Sequence, residues 1–251
     1  MPKRSSLFPA IAILVVAIGI IAYMLMRGEG DMVIHPSTEE GSINGGAWPS
    51  EEIRSEVVKD SARGHTINAT YPVTASDAIT TYFRTFVDET IIQFKAETAW
   101  VADLENAQEN AVALDVTYTR EKGTTADNYV FLLAMYTGGA HGLQATKTFT
   151  FIPDGTPVTI DMLFTNNAEG LKTIAPLVEK ELMTREFTDN QWVKDGTAPS
   201  EQNYKNFIIT DAGITFIFDP YQVAPYSEGT QKVTIPLSAF KKIANTEVFG
   251  E

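Results

Sequence analysis

Histidine, carboxylate and glycine could carry chemistry in this chain, and they crowd together in "AMYTGGAHGLQ", residues 134–144. General-base catalysis by His141 needs a nucleophile to deprotonate and a group that orients its other ring nitrogen. The chain has no cysteine, no G-x-S-x-G and no serine between Ser76 and Ser200. A zinc-type site needs three or four ligands, and no H-x-x-x-H, H-x-H or H-x-x-E spacing falls near this loop. The lysine and Ser/Thr that complete a phosphate loop are missing as well. Gly138, Gly139 and Gly142 permit positive φ, so the chain can reverse tightly between two strands. Three readings of His141 follow: a bond to loop backbone, a ligand contact, or a catalytic role.

Carboxylates are plentiful, and a hydrolytic pair is compatible with Asp154, Asp161, Asp211 and Asp219, which lie on or beside strands. Most of these positions are turns, where aspartate serves by bonding nearby amides. A second loop stands out at 219–229, "DPYQVAPYSEG". Pro220 and Pro225 stiffen it, and Tyr221 and Tyr226 place two rings on it. Such a loop loses little entropy on binding, and tyrosine is common at contact hot spots. The same rings could equally pack back onto a sheet.

These loops need elements to hold them. "HTINATYPV" alternates as a strand with Ile67, Ala69 and Tyr71 on one face. His65, at its start, reads as a surface histidine without an acidic partner. The segment 74–98 is the clearest helix, with capping-box spacing at Thr74 and Asp77 and an apolar stripe from Ile79 to Phe94. Strands are expected at 111–121, 128–137 and 143–152, joined as an antiparallel meander. A second helix is expected at about 167–187, kinked or begun at Pro176. The stretch "TDNQWVKDGTAPSEQ" reads as a loop. A hairpin around Asp211–Gly213, a strand at "TQKVTIP" and a short helix at "LSAFKKIA" complete the chain. The pattern predicts an α+β fold, an antiparallel sheet with two main packed helices, preceded by one transmembrane helix.

The transmembrane expectation rests on Leu7 to Met26, twenty residues without a charge. As a helix they would span about 30 Å, the thickness of a bilayer core. Lys3 and Arg4 precede the run, which predicts a cytoplasmic N-terminus of residues 1–6 and an exported remainder. No convincing small-x-small cleavage site follows, so the run is expected to stay as an anchor in membrane lipid. Residues 27–50 are rich in Gly, Ser, Pro and Glu and read as a flexible linker that includes His35. The expected domain then covers 51–251, with an N-terminal part at 64–127 and a C-terminal part from 128.

Beyond Arg27 the chain holds 16 basic and 32 acidic residues, a net charge of −16. Such a field disfavours nucleic acid and favours encounter with cationic partners.

Three motifs in order, "YTGGAHG", "GTPVTIDMLF" and "FIITDAGITFIFDPYQVAPYSEGTQKVTIP", give the region 64–245 a family look. It resembles the extracytoplasmic domain of sigma-V anti-sigma factors (RsiV-like), which also precedes the deacetylase domain of PdaC-like peptidoglycan deacetylases. That resemblance implies an α+β domain outside the membrane with no chemistry of its own. In the anti-sigma factor it binds lysozyme. The matching positions are Tyr136, Gly138, Gly139, His141 and Gly142, then Pro220, Tyr221, Pro225, Tyr226 and Gly229. The few residues before the apolar run would leave no segment to hold a sigma factor, and no deacetylase metal motif is present.

The expectation is therefore a non-enzymatic, membrane-anchored binding or sensing domain, without cofactor or metal. Its ligand would be a cationic lysozyme-like protein or a peptidoglycan-related glycan. The alternatives are an envelope hydrolase that uses His141 with a turn aspartate, or a structural partner in a membrane complex.

Overall fold

A computed structural model describes residues 54–62, 64–107, 112–185 and 190–250. The expected anchor at 7–26 and the expected linker at 27–50 lie outside these residues. No helix among the described residues is long and apolar enough to cross a membrane. The fold is α+β. The described residues form two compact units, one from 54–118 and 132–145, the other from 119–131 and 146–250.

In the first unit, strand β1 (Arg54–Ala62) pairs antiparallel with β2 (His65–Val73), and β2 pairs parallel with β3 (Val112–Lys122). Ile67, Ala69 and Tyr71 are buried on one face of β2, as their alternation predicts. β1 has no such alternation, because most of its residues are exposed, and the sequence pattern missed it. Its register brings Asp60 Oδ1 to 3.6 Å from His65 Nε2, which corrects the reading of His65 as a histidine without an acidic neighbour. Helix α1 (Asp77–Thr98) buries Ile79, Tyr82, Phe83, Val87, Ile91 and Phe94. Each such side chain contributes roughly 1.5–3 kcal/mol when fully buried. Ser76 caps the helix by accepting from the Ile79 amide; Thr74 instead bonds Thr80 and the Ser76 carbonyl.

Strands β4 (Asp127–Tyr136), β5 (Leu143–Phe151) and β6 (Pro157–Val158) extend the order to β1-β2-β3-β4-β5-β6. The three strands expected as a meander lie side by side in the order β3-β4-β5, while the parallel β2–β3 pair departs from the expected antiparallel sheet. Asn128 lies within the second unit, where its side chain takes the Ile209 amide at 2.9 Å and donates to the Ile209 carbonyl at 2.8 Å.

The core of the second unit forms around helix α2 (Asn167–Leu182) and a second sheet, β7 (Phe207–Thr210), β8 (Gly213–Phe218) and β9 (Gln231–Pro236), paired antiparallel in that order. β8 is buried at every position, which explains its unbroken apolar run. Pro176 lies inside α2, so the helix neither starts there nor stops there. The expected loop around Trp192 contains two short helices, α3 (Asn190–Gly196) and α4 (Glu201–Tyr204). They were missed because neither is long enough to show a period. The expected helix after β9 is a 3₁₀ turn at Leu237–Ala239, and a last short helix, α5 (Thr246–Phe249), follows.

Candidate functional site

The loop between β8 and β9 is built by interlocking contacts within the second unit. The Gln222 amide donates to the Asp219 carbonyl at 3.0 Å, and the Tyr221 amide donates to the Ala224 carbonyl at 3.0 Å. Val223 and Ala224 are buried, so the loop is pinned from beneath. The Gln222 side chain donates to the carbonyls of Asn203, at 2.9 Å, and Gly196, at 3.3 Å. The indole of Trp192 donates to the Tyr221 carbonyl at 2.6 Å. The fit at Gly196 is tight enough that a Cβ there would lie 2.0 Å from the Gln222 carbonyl oxygen. At the far end, Gly229 takes φ +65°, and Gln231 donates to the Glu228 carbonyl while accepting from Arg185 at 2.7 Å.

This frame imposes an unusual conformation on Tyr221. Its φ is +72°, and it is the one non-glycine residue at positive φ among the described residues. A Cβ disfavours that region by roughly 1–2 kcal/mol. Tyr221 is also 47% exposed, so burial of its ring does not compensate. The ring lies nearly parallel to Trp192, at 18° and 6.2 Å between centroids, and at 33° and 5.5 Å from Tyr226. Of the two sequence alternatives for these rings, display at the surface fits Tyr221, while Tyr226 is half-buried.

A buried polar group adjoins the same turn. The Asp219 carboxyl accepts hydrogen bonds from the Thr146 side chain and backbone, and its Oδ1 is buried with no hydrogen-bond partner. Burial pushes this carboxyl up to about 6, against the Thr146 bonds and the attraction of Lys205. Burial pushes the Lys205 ammonium down to about 8; Asp219 opposes that shift and Lys147 adds to it. The other turn aspartates are committed differently. Asp154 takes the Thr156 amide at 2.8 Å, and Asp161 takes the Thr159 hydroxyl. Asp211 takes the Thr124 amide at 2.8 Å, and that bond holds it below its ordinary value.

The glycine loop, in the first unit, is looser. Gly138 and Gly139 take φ +90° and +109°, and a Cβ on Gly139 would meet nothing within 4 Å. Gly142 is the constrained glycine, since its Cβ would sit 3.0 Å from the Met135 carbonyl. The Tyr136 hydroxyl donates to the Gly139 carbonyl at 3.2 Å. His141 is exposed and its Nδ1 lies 2.8 Å from the Gly142 carbonyl, the backbone-bonding geometry among the three readings.

The structure thus draws Pro220, Tyr221, Pro225, Tyr226 and Gly229 into one loop held by its neighbours, and Tyr136, Gly138, Gly139, His141 and Gly142 into a separate, looser loop. Sequence reasoning missed Trp192, Gln222 and Gly196, which build the first loop. Their only local trace is the W-x-x-x-G spacing across one helical turn.

Residues 161–238, which include this site, match a family described as "Protein of unknown function (DUF3298)". The resemblance to a PdaC-like domain holds. The chain is 27% identical over 249 residues to the peptidoglycan-N-acetylmuramic acid deacetylase PdaC of Bacillus subtilis, covering 97% of this chain and 51% of that protein. It is 31% identical over 108 residues to an esterase of Mycobacterium tuberculosis, covering 43% of this chain and 47% of the esterase. The chain spans about half the length of the curated relatives it matches. A crystal structure of a DUF3298 member from Bacteroides fragilis shares the fold, with a TM-score of 0.57 at 20% identity over 79% of this chain and 96% of that one.

These relatives correct the expectation that the chain is not an enzyme, since two of them are enzymes by name. That expectation rested on the absence of serine, thiol or chelating partners close to His141 in sequence. Polar groups can meet from distant segments, as Thr146, Lys205 and Asp219 do here, and spacing along the chain does not reveal them.

Proposed function

We propose that this protein works outside the cytoplasmic membrane, tethered by residues 7–26, and engages cell-wall peptidoglycan through the 219–229 loop. The observation that carries this reading is Tyr221: an exposed ring held at an unfavourable φ by a frame of buried neighbours, within the matched segment. Strain of this kind persists where the surrounding structure enforces it, and it concentrates at functional sites. The likeness to a peptidoglycan deacetylase over nearly the whole chain supports the wall as the target. Co-sedimentation of the 251-residue chain with purified sacculi tests it. Retention that free peptidoglycan fragments compete away is the expected result, and no retention would overturn it.

A second reading, hydrolysis of an acyl group on that glycan, is favoured by the deacetylase and esterase relatives and by Asp219 with Lys205. Their shifts toward neutrality are those of groups poised for proton transfer. Oδ1 is closed to solvent, so turnover would need the residues that cover it to move. Acetate release from acetylated peptidoglycan, abolished by Asp219→Asn, is the outcome that would favour this reading over binding alone.

A further inference from the structure

We propose that Trp192, Tyr221 and Tyr226 form a saccharide subsite that stacks consecutive pyranose rings of an N-acetylated wall glycan. The inference rests on the reading that the 219–229 loop is the contact surface, and it specifies the chemistry of contact.

The geometry of the rings carries it. Aromatic pairs in the core of this unit meet edge to face: Phe164–Phe240 at 82°, Tyr204–Phe216 at 84°, Tyr204–Phe218 at 81° and Phe240–Phe249 at 70°. That arrangement suits packing, because the positive edge of one ring meets the negative face of the next. The rings at the loop depart from it: Trp192 stacks with Tyr221 at 18°, and Tyr226 tilts from Tyr221 at 33°. Tyr221 is the exposed member of the three, and Trp192 and Tyr226 flank it half-buried. A pyranose presents one face rich in C–H bonds with slight positive charge, which complements the negative face of an aromatic ring. Its hydroxyl and N-acetyl groups project from the ring edge, where they can stay hydrated.

The rings are also held rigidly. The Trp192 indole is fixed to the Tyr221 carbonyl, and Gln222 ties the turn to two helix-end carbonyls, so the row is set before a ligand arrives. Ordering costs that would otherwise weaken binding are then small. Glycine or asparagine would satisfy a turn at φ +72° with less strain. A tyrosine there is explained when its ring is what the position supplies.

The test titrates the 251-residue chain with the β-1,4-linked tetramer of N-acetylglucosamine, followed by calorimetry and tryptophan fluorescence. Tyr221→Gly removes the ring and also suits the positive φ, so this variant should melt no lower than the parent. Its affinity for the tetramer should fall at least tenfold. Trp192→Leu and Tyr226→Leu should each lose several-fold, and Tyr221→Phe should bind like the parent. Tetramer binding that Tyr221→Gly leaves unchanged would overturn the proposal. So would no tetramer binding at millimolar concentration with sacculi still retained through Tyr221, in which case the loop reading stands and stacking falls. Failure with both sacculi and tetramer removes the loop reading together with this one.

Discussion

Two loops attract notice in the sequence for similar reasons, and the structure separates them. The 137–142 loop owes its shape to glycine: Gly139 turns freely in open space, and His141 lies 2.8 Å from the carbonyl of its own neighbour. The 219–229 loop is shaped by its surroundings. Helix ends at Gly196 and Asn203, the Trp192 indole and the buried Val223–Ala224 pair hold it where its own residues would not settle. A loop permitted by its residues and a loop enforced by its neighbours differ in what they can store. The enforced loop stores a strained, exposed ring; the permitted one has no such feature.

The largest effect that would sharpen this contrast is expected from Gly196→Ala. Its new Cβ would collide with the Gln222 carbonyl, a rigid backbone atom, and displace the turn. A loss of about 3 kcal/mol in urea unfolding is expected, with the Tyr221 resonances moved by NMR. An unchanged stability would mean that the frame is slack.

A pH series probes the same frame from below. The Asp219 carboxyl is raised to about 6, above its unfolded value. A raised carboxyl favours the folded state below the unfolded pKa, and this contribution is lost as pH rises through about 6. Relative to Asp219→Asn, the parent should therefore lose roughly 2 kcal/mol between pH 4 and 7. Asp211, held low by Thr124, titrates in the opposite sense and cancels in the difference. A flat difference curve would remove the buried carboxyl from the account.

The smallest effect belongs to the other loop. His141→Ala should change stability by less than about 0.5 kcal/mol, since the side chain is exposed and bonds locally. A loss of several kcal/mol would erase the contrast between the loops.

The division between legible and hidden features follows from the range of each interaction. Helix α1 and strand β2 could be read because their apolar residues recur with the period of the element that buries them. β8 could be read as an unbroken apolar run. The capping-box spacing points to Thr74, two residues from the true cap Ser76, because either hydroxyl could accept from the first turn. β1 stayed hidden because it is a polar edge strand, and α3 and α4 because they span too few residues to show a period. At the candidate site, Tyr221 and Tyr226 could be flagged from composition. Their partner Trp192 lies 29 residues from Tyr221, and only tertiary packing joins them. The positive φ of Tyr221 has no sequence signal, since tyrosine is an unlikely residue for it.

The most direct test is an NMR titration of the 251-residue chain, in detergent, with muramidase-released peptidoglycan fragments. Saturable shifts are expected at the Trp192 indole, Tyr221 and Tyr226, with the 137–142 amides unmoved. Shifts confined to the glycine loop, or none at saturating fragment, would contradict the loop reading.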